Sequence, residues 1–178
     1  MGTTVKPLRK VGIKVETTAG TFVAPDTLSP FTSFTLKQQF DMIPDESIVG
    51  LAFPDLPVQG VRKVEGTLST QGEVDAIEPL LEASLGAVAS QVFTAPATKN
   101  TKSLSIVHLD EVKTNKYAGC FIKSLTISSA AEEDVKLSAD IIGFKAELRD
   151  GTAFPAITTN PGARLVHHHA SGSGHMRI

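Results

Sequence analysis

Residues 117–148 read YAGCFIKSLTISSAAEEDVKLSADIIGFKAEL, and this stretch decides the fold. Apolar and polar residues alternate on both sides of the acidic segment 130–134, which is typical of two strands joined by a turn. Leu125 and Ile127 match the apolar positions of the second strand, so the predicted hairpin has one buried face. A break in the alternation at residues 141–143 predicts a β-bulge in that second strand.

Further alternation outside this hairpin predicts a mainly β protein. Additional strands are expected at residues 11–15, 31–40, 61–70 and 103–109. The period becomes helical over residues 75–85, where Asp75 begins a capping box and Gly86 supplies a C-terminal cap. We expect one domain over residues 1–148. Residues 149–178 lack periodicity and are predicted to form a C-terminal arm or flexible tail.

The connection between the second and third predicted strands, residues 41–60, is unusually long and apolar. Connections of about twenty residues are uncommon in compact domains and tend to be functional. Fully extended, this one would span about 65 Å, enough to lie on a neighbouring molecule. The residues that we predict to contact a neighbouring subunit are Met42, Ile43, Ile48, Val49, Leu51, Phe53, Leu56 and Val58.

Composition excludes several classes of function. The 178 residues include 17 basic and 19 acidic side chains, giving a net charge of −2, and no Trp. Tight nucleic-acid binding normally needs a basic excess, so we predict none. There is no apolar run of about 20 residues, hence no expected membrane span, and no expected secretory signal. The single cysteine, Cys120, excludes a framework of intrachain disulfides.

Two groups of residues are candidate metal ligands. The acid run at residues 132–134 occupies the predicted hairpin turn, where a solvated turn is the favoured interpretation. His167, His168 and His169 lie with His175 among Ala, Ser and Gly residues, which favours a flexible tail. We therefore predict no metal site.

Catalytic candidates are equally weak. Cys120 with His108 as its base would make a nucleophilic pair, but no signature of a cysteine enzyme surrounds them. Asp45 and Glu46 are adjacent, so their side chains point apart, and no nucleophile accompanies them. Nucleophile elbows, phosphate-binding loops and zinc-ligand spacings are absent from the sequence. We predict neither an enzymatic activity nor a cofactor.

Three ordered passages resemble the tail tube, or major tail, proteins of long-tailed (siphovirus-like) bacteriophages. The first, residues 11–25 (VGIKVETTAGTFVAP), is similar to the ExTxGTxxAP opening of many such proteins. The second runs from Ile43 through residues 58–66 into the helix ending at Gly86. The third covers residues 117–143. Together they extend over roughly residues 11–148.

The resemblance implies a β-sandwich or small barrel flanked by one helix. Six subunits would close into a ring, and stacked rings would form a tube lined by a continuous sheet that carries the genome to the host. It further implies a virion tail protein made in the bacterial cytoplasm, with tape measure, tail terminator and distal tail proteins as partners. DNA would slide through without tight binding. Glu65, Glu132 and Glu133 are the acids predicted to face the lumen.

Four other interpretations stay open at the level of sequence. The chain is alternatively a tube protein of a contractile injection or secretion machine, or a head–tail connector or capsid-decorating protein. It is alternatively a monomeric ligand-binding β-sandwich, for which Phe22, Phe31 and Phe53 are the exposed aromatic candidates. An enzyme is the least supported. If the tube interpretation is right, Phe53→Asp or Ile48→Asp should leave a folded monomer that forms no tubes.

Overall fold

The structure, a computed structural model, describes eleven segments of the chain. They are residues 9–26, 28–44, 57–72, 74–89, 92–94, 102–110, 113–130, 134–150, 154, 166–168 and 175–177.

Twelve strands and one helix form these segments. In chain order they are β1 (Arg9–Val15), β2 (Leu28–Ser29), β3 (Ser33–Phe34), β4 (Lys37–Ile43), β5 (Val58–Gln71), α1 (Val74–Leu85), β6 (Ala87–Ala89), β7 (Val92–Thr94), β8 (Leu104–Asp110), β9 (Lys113–Ser128), β10 (Lys136–Asp150), β11 (Val166–His168) and β12 (His175–Arg177). Eight strands make one antiparallel sheet in the order β2-β1-β8-β9-β10-β5-β3, with β4 also paired to β5. The short pairs β6–β7 and β11–β12 stand apart.

The main sheet curls into a half-barrel. In the sheet order, β3 and β9 are separated by β5 and β10, yet Phe34 of β3 contacts Tyr117 of β9, with ring centroids 6.2 Å apart. The Tyr117 hydroxyl also donates to the Leu36 carbonyl at 3.1 Å. The concave face holds the core, in which Leu80 of α1 packs with Ile106 and other buried apolar side chains. The predicted mainly β fold with one flanking helix is therefore confirmed.

The hairpin that decides the fold is present as β9 and β10. Leu125 lies opposite Ala139 and Ile127 opposite Leu137, as the alternation predicts. The bulge, however, was predicted in the wrong strand. Between Ser124↔Asp140 and Ile122↔Ile141 the extra residue is Lys123, which belongs to β9. The pair Ile141-Ile142 does not break the alternation, because Ile141 is buried and Ile142 is exposed on the other face.

Helix α1 begins at Val74, so Asp75 lies within the first turn and not before it. Its C-terminal cap is as predicted: Gly86 has φ +112°, and its N–H donates to the Glu82 carbonyl at 3.1 Å.

The strand predicted over residues 31–40 is broken into β3 and β4. The break lies at Thr35 and Leu36, where Leu36 turns into the core and Thr35 hydrogen-bonds to Thr67 through both its N–H and its hydroxyl. At the other end of the chain, β10 runs to Asp150, two residues past the predicted domain boundary. The role of residues 149–178 as an arm stays a prediction.

Candidate assembly surfaces

One half of the hairpin formed by β4 and β5 extends beyond the rest of the sheet. The register between β10 and β5 ends at Gly143↔Val64, whereas β5 continues to pair with β4 as far as Ile43↔Val58. Residues 58–63 therefore have β4 as their strand partner among the described residues. At about 3.3 Å per residue this projection is about 20 Å long. We call residues 37–43 with 58–63 the arm. It is distinct from the predicted C-terminal arm at residues 149–178.

The arm carries most of the exposed large apolar side chains that the structure describes. The large apolar side chains exposed across the described residues are Phe40, Met42, Ile43, Val58, Val61, Leu85, Ile127, Ile142 and Phe144. The first five belong to the arm, and Val61 is 84% exposed. A soluble monomer seldom gathers so many apolar side chains in one exposed projection, so the arm has the character of an interaction surface.

The boundaries of the predicted loop at residues 41–60 were wrong at both ends. Residues 41–43 continue β4 and residues 58–60 begin β5, because the two strands stay paired beyond the sheet. Of the predicted contact residues, Met42, Ile43 and Val58 are thus exposed positions on strands. The remaining five, Ile48, Val49, Leu51, Phe53 and Leu56, lie outside the described residues.

Two arm residues, Phe40 and Val61, were assigned to strands and not to the predicted contact surface. For Phe40, polar Gln38 on the same side of the strand indicates that the far end of residues 31–40 is less buried, which agrees with the exposure of this ring. No local signal marks Val61 as exposed, because alternation predicts which residues share a face and not whether anything covers that face.

The convex side of the sheet presents a second surface, which is polar. Residues opposite one another in register share a face, so Thr67, Asp140 and Ser124 form one row across β5, β10 and β9. Hydroxyl groups on this face interact, with Ser124 donating to Asp140 at 2.5 Å. We call this surface the polar face; its members are Thr67, Ser69, Gln71, Ser124, Thr126, Ser128, Lys136, Ser138 and Asp140.

Glu65 lies at one end of the polar face, on β5 opposite Ile142 of β10 and Lys37 of β4. It is half-buried. The other two acids predicted to face a lumen, Glu132 and Glu133, lie outside the described residues.

Glu16 organises the side of the sheet next to these surfaces, and the sequence interpretation missed its role. Its buried carboxylate accepts hydrogen bonds from the Gly20 N–H (2.8 Å), the Gly119 N–H (2.9 Å), the Ser103 hydroxyl (2.5 Å) and the Ser105 hydroxyl (2.7 Å). Burial raises the pKa of Glu16, but these hydrogen bonds outweigh burial and hold the pKa below its ordinary value. One ionised carboxylate thus joins the turn after β1 to β8 and β9.

A comparison with known protein families identifies the chain. Residues 8–173 match the family described as "Phage tail tube protein".

The chain belongs to the phage tail tube protein family.

Membership gives the chain a structural role, as a virion tail component that assembles into a tube polymer. The match also extends well beyond residue 148, so it takes in much of the predicted C-terminal arm.

Two solved structures match this chain at low sequence identity, and the first of them shares its fold. A chain of the anti-feeding prophage baseplate is 8% identical with a TM-score of 0.53, and the match covers 86% of this chain and 99% of that chain. A chain of the SPP1 tail tube is 13% identical with a TM-score of 0.48, over 80% of this chain and 77% of that chain. Curated proteins yielded no match.

The catalytic pair considered from the sequence does not form in this tail tube protein. Cys120 lies opposite Leu104, which is four residues from His108 along β8, a separation of about 13 Å. Burial also raises the pKa of the Cys120 thiol to about 12. His108 instead packs against both Phe31 and Phe34, at ring-centroid distances of 5.9 and 4.2 Å. Asp45 and Glu46 lie outside the described residues.

The structure describes only some of the candidate metal ligands. Among the described residues there is no group of three His, Cys, Asp or Glu side chains placed to hold an ion. The β11–β12 pair sets His168 opposite His175, while His169, Glu132 and Glu133 lie outside the described segments. Within the same segments, no helix has the length and apolar character that crossing a membrane requires.

Proposed function

We propose that this chain forms homohexameric rings that stack into the tail tube of a siphovirus, the conduit through which the genome leaves the virion. The observation that carries the proposal is the arm, which offers five exposed apolar side chains on a projection about 20 Å long. Burying such a surface against another copy removes it from water, which stabilises the contact by roughly 25 cal/mol for each Å² of apolar area buried.

The arm is well suited to a contact between subunits. Lys63 and Asp41 form an ion pair across it at 3.8 Å, so its charged groups are partly matched within the arm. In a ring each copy uses one patch to contact a different patch on the next copy, and closure of the ring leaves no such surface exposed. Met42, Ile43 and Val58 would make this contact from the strands. Ile48, Val49, Leu51, Phe53 and Leu56 would extend it from the connecting segment.

The polar face suits the lumen. Its side chains are short and mostly uncharged, and its charged members, Asp140 and Lys136, have opposite signs. Hydroxyl groups keep such a surface hydrated, and the lack of a basic excess leaves DNA free to slide. Glu65 at its end, with Glu132 and Glu133 if they face the same way, would add repulsion for phosphate.

Further partners follow from a role in the tail. The tube would surround a tape measure protein and be bounded by a tail terminator and a distal tail protein. The chain would act without a cofactor or an enzymatic activity.

A tube of a contractile injection machine is the second candidate. The anti-feeding prophage baseplate, whose structure is described as 6-fold symmetrised, contains a chain of the same fold. Purified tubes that bind a sheath protein in a pull-down would favour this candidate, and naked tubes in mature virions would favour the siphovirus tail.

The direct test is negative-stain electron microscopy of the purified protein, combined with its mass in solution. Hollow tubes or six-membered rings are expected for the wild type. Met42→Asp and Val61→Asp in the arm, and Phe53→Asp or Ile48→Asp beyond it, should give folded monomers without tubes. Thr126→Asp on the polar face is the matched control and should still assemble. A wild-type protein that stays a monomer across concentration and salt would overturn the proposal.

A further inference from the structure

An aromatic patch lies on the convex side of the sheet, between the polar face and the arm. It consists of Phe121, Ile142 and Phe144. Ile142 is 43% exposed and Phe144 is 55% exposed, while Phe121 is half-buried. The two phenyl rings lie 6.2 Å apart, within the range of favourable aromatic pairs. The patch is thus the main apolar interruption of an otherwise polar surface.

The base of this patch is rigid. Gly119 has φ +66°, and a β-carbon built there would lie 2.4 Å from the Phe144 ring. Gly20, with φ +79°, approaches the same ring from the side, at 3.0 Å from such a β-carbon. Both glycine N–H groups donate to the carboxylate of Glu16. The ring is therefore held on a backbone that cannot easily shift, which lowers the cost of ordering it on contact with a partner.

Charge at the patch is complementary to charge on the arm. Glu65 lies directly opposite Ile142 in the register, and Asp140 is two residues along β10 on the same face. On the arm, Phe40 lies opposite Arg62, so an aromatic ring and a cation share one face there. Lys37 lies opposite Glu65 on the same face, so the charge of Glu65 is partly balanced within the subunit. Asp140 is therefore the acid best placed to match Arg62 of an arm.

We propose that the aromatic patch of one subunit receives the arm of a neighbouring copy, with Phe40 and Met42 packing on Phe144 and Ile142. Arg62 of the arm faces Asp140, which lies in the row of the polar face next to the patch, so this row is covered while the other rows face the lumen. This inference rests on the proposed assembly and adds the receiving surface to it. The contact is heterologous, since two different patches of the same chain meet, and repetition around a closed ring satisfies every copy.

The arm of a subunit cannot contact the aromatic patch of the same subunit. Across the sheet, Ile142 of β10 lies opposite Glu65 of β5, and Glu65 lies opposite Lys37 of β4. Met42 is five residues beyond Lys37 on β4. Met42 and Ile142 of one subunit are therefore about 17 Å apart along the strands and two strand spacings of about 4.8 Å apart across them. A disulfide requires α-carbons within about 7 Å, so a bond between cysteines at positions 42 and 142 reports two different copies.

The test is therefore a cross-link in assembled protein. Met42→Cys with Ile142→Cys is oxidised in tubes, and a ladder of covalent multimers is expected on a non-reducing gel. The native Cys120 is buried and does not compete. The control pair, Met42→Cys with Thr126→Cys, places the second thiol on the polar face and should give no ladder. Tubes that form with both thiols free and no ladder would overturn the proposal and assign the patch to another partner.

A charge reversal separates the contact from folding. Arg62→Asp should lower the polymerised fraction at least tenfold while leaving the melting temperature unchanged. Adding Asp140→Arg should restore at least half of the tubes, whereas adding Thr126→Arg should not. Equal rescue by both changes would overturn the pairing of Arg62 with Asp140. Absence of tubes in the wild type would instead overturn the proposed function, and this inference with it.

Discussion

The two halves of strand β5 have similar sequences and opposite environments. In residues 64–71 the strand lies between β10 on one side and β3 and β4 on the other, and Val64 and Leu68 are 1% and 0% exposed. In residues 58–63 it pairs with β4 alone among the described strands, and Val58 and Val61 are 65% and 84% exposed. Apolar residues therefore stabilise the subunit in one half and are available for assembly in the other.

The two halves of β5 differ in whether other elements pack over their apolar side chains, not in residue type. Leu68 packs in the core with Leu80 of α1 and with Ala139 of β10, which are 12 and 71 residues from it along the chain. No described element lies over Val61. Substitutions of the same kind in the two halves should therefore affect different properties, the free energy of unfolding in one and the extent of assembly in the other.

Leu68→Ala is expected to give the largest loss of stability. Removing a fully buried Leu side chain leaves a cavity among core residues, at a cost of about 2–5 kcal/mol in the free energy of unfolding. Chemical denaturation of the monomer measures it. The contrast between the two halves would be broken if Leu68→Ala cost no more than the matched change Val61→Ala.

Glu16→Gln should be the next most destabilising change. The carboxylate accepts four hydrogen bonds, two on each oxygen. In Gln an –NH₂ group replaces one of these oxygens and faces two of the donors. We therefore expect the free energy of unfolding to fall by about 1–3 kcal/mol near neutral pH. The pKa of Glu16 is lower in the folded chain than its ordinary value of 4.5. Its contribution is therefore present above pH 4.5 and is lost as the pH falls through the folded-state pKa.

Denaturation curves measured between pH 7 and pH 3 check both parts of this prediction. The gap between wild type and Glu16→Gln should narrow on acidification. Ser103→Ala, which removes one of the four donors, is the matched control and should cost less. A gap that stays constant down to pH 3 would contradict the assignment of Glu16 as the ionised acceptor.

Gly119→Ala should destabilise by about 1–3 kcal/mol, because the residue has φ +66° and the added methyl group meets the Phe144 ring. Combining it with Phe144→Ala separates the two causes. If the ring contact matters, Gly119→Ala costs less in the Phe144→Ala background. An equal cost in both backgrounds would leave backbone strain as the sole cause.

Val61→Ala should have the smallest effect on the folded monomer, within about 0.5 kcal/mol, because the side chain is largely exposed. We expect Val61→Ala to affect assembly instead, by raising the protein concentration at which tubes form. Light scattering measures this concentration. A large loss of monomer stability would show that the arm is covered within its own chain.

Much of the fold could be predicted from local pattern. Alternation around residues 130–134 predicted the β9–β10 hairpin and its pairing of Leu125 and Ile127, and the change of period predicted α1. The predicted loop failed at residues 41–43 and 58–60, since proline and glycine nearby indicated a loop where the two strands stay paired. The Glu16 network was out of reach because three of its four donors lie 87 to 103 residues away.

The sequence by itself determined the mainly β class, the hairpin, the helix with its glycine cap, and the ordered motifs of the tail tube family, because all of these depend on residues near one another in the chain. Only the tertiary structure decided that Ile141 is buried while Ile142 is exposed, that β5 leaves the sheet at Val64, and that Phe144 rests on Gly119 and Gly20. Periodicity records which residues share a face. What covers that face depends on contacts between distant segments, and those form only when the sheet curls.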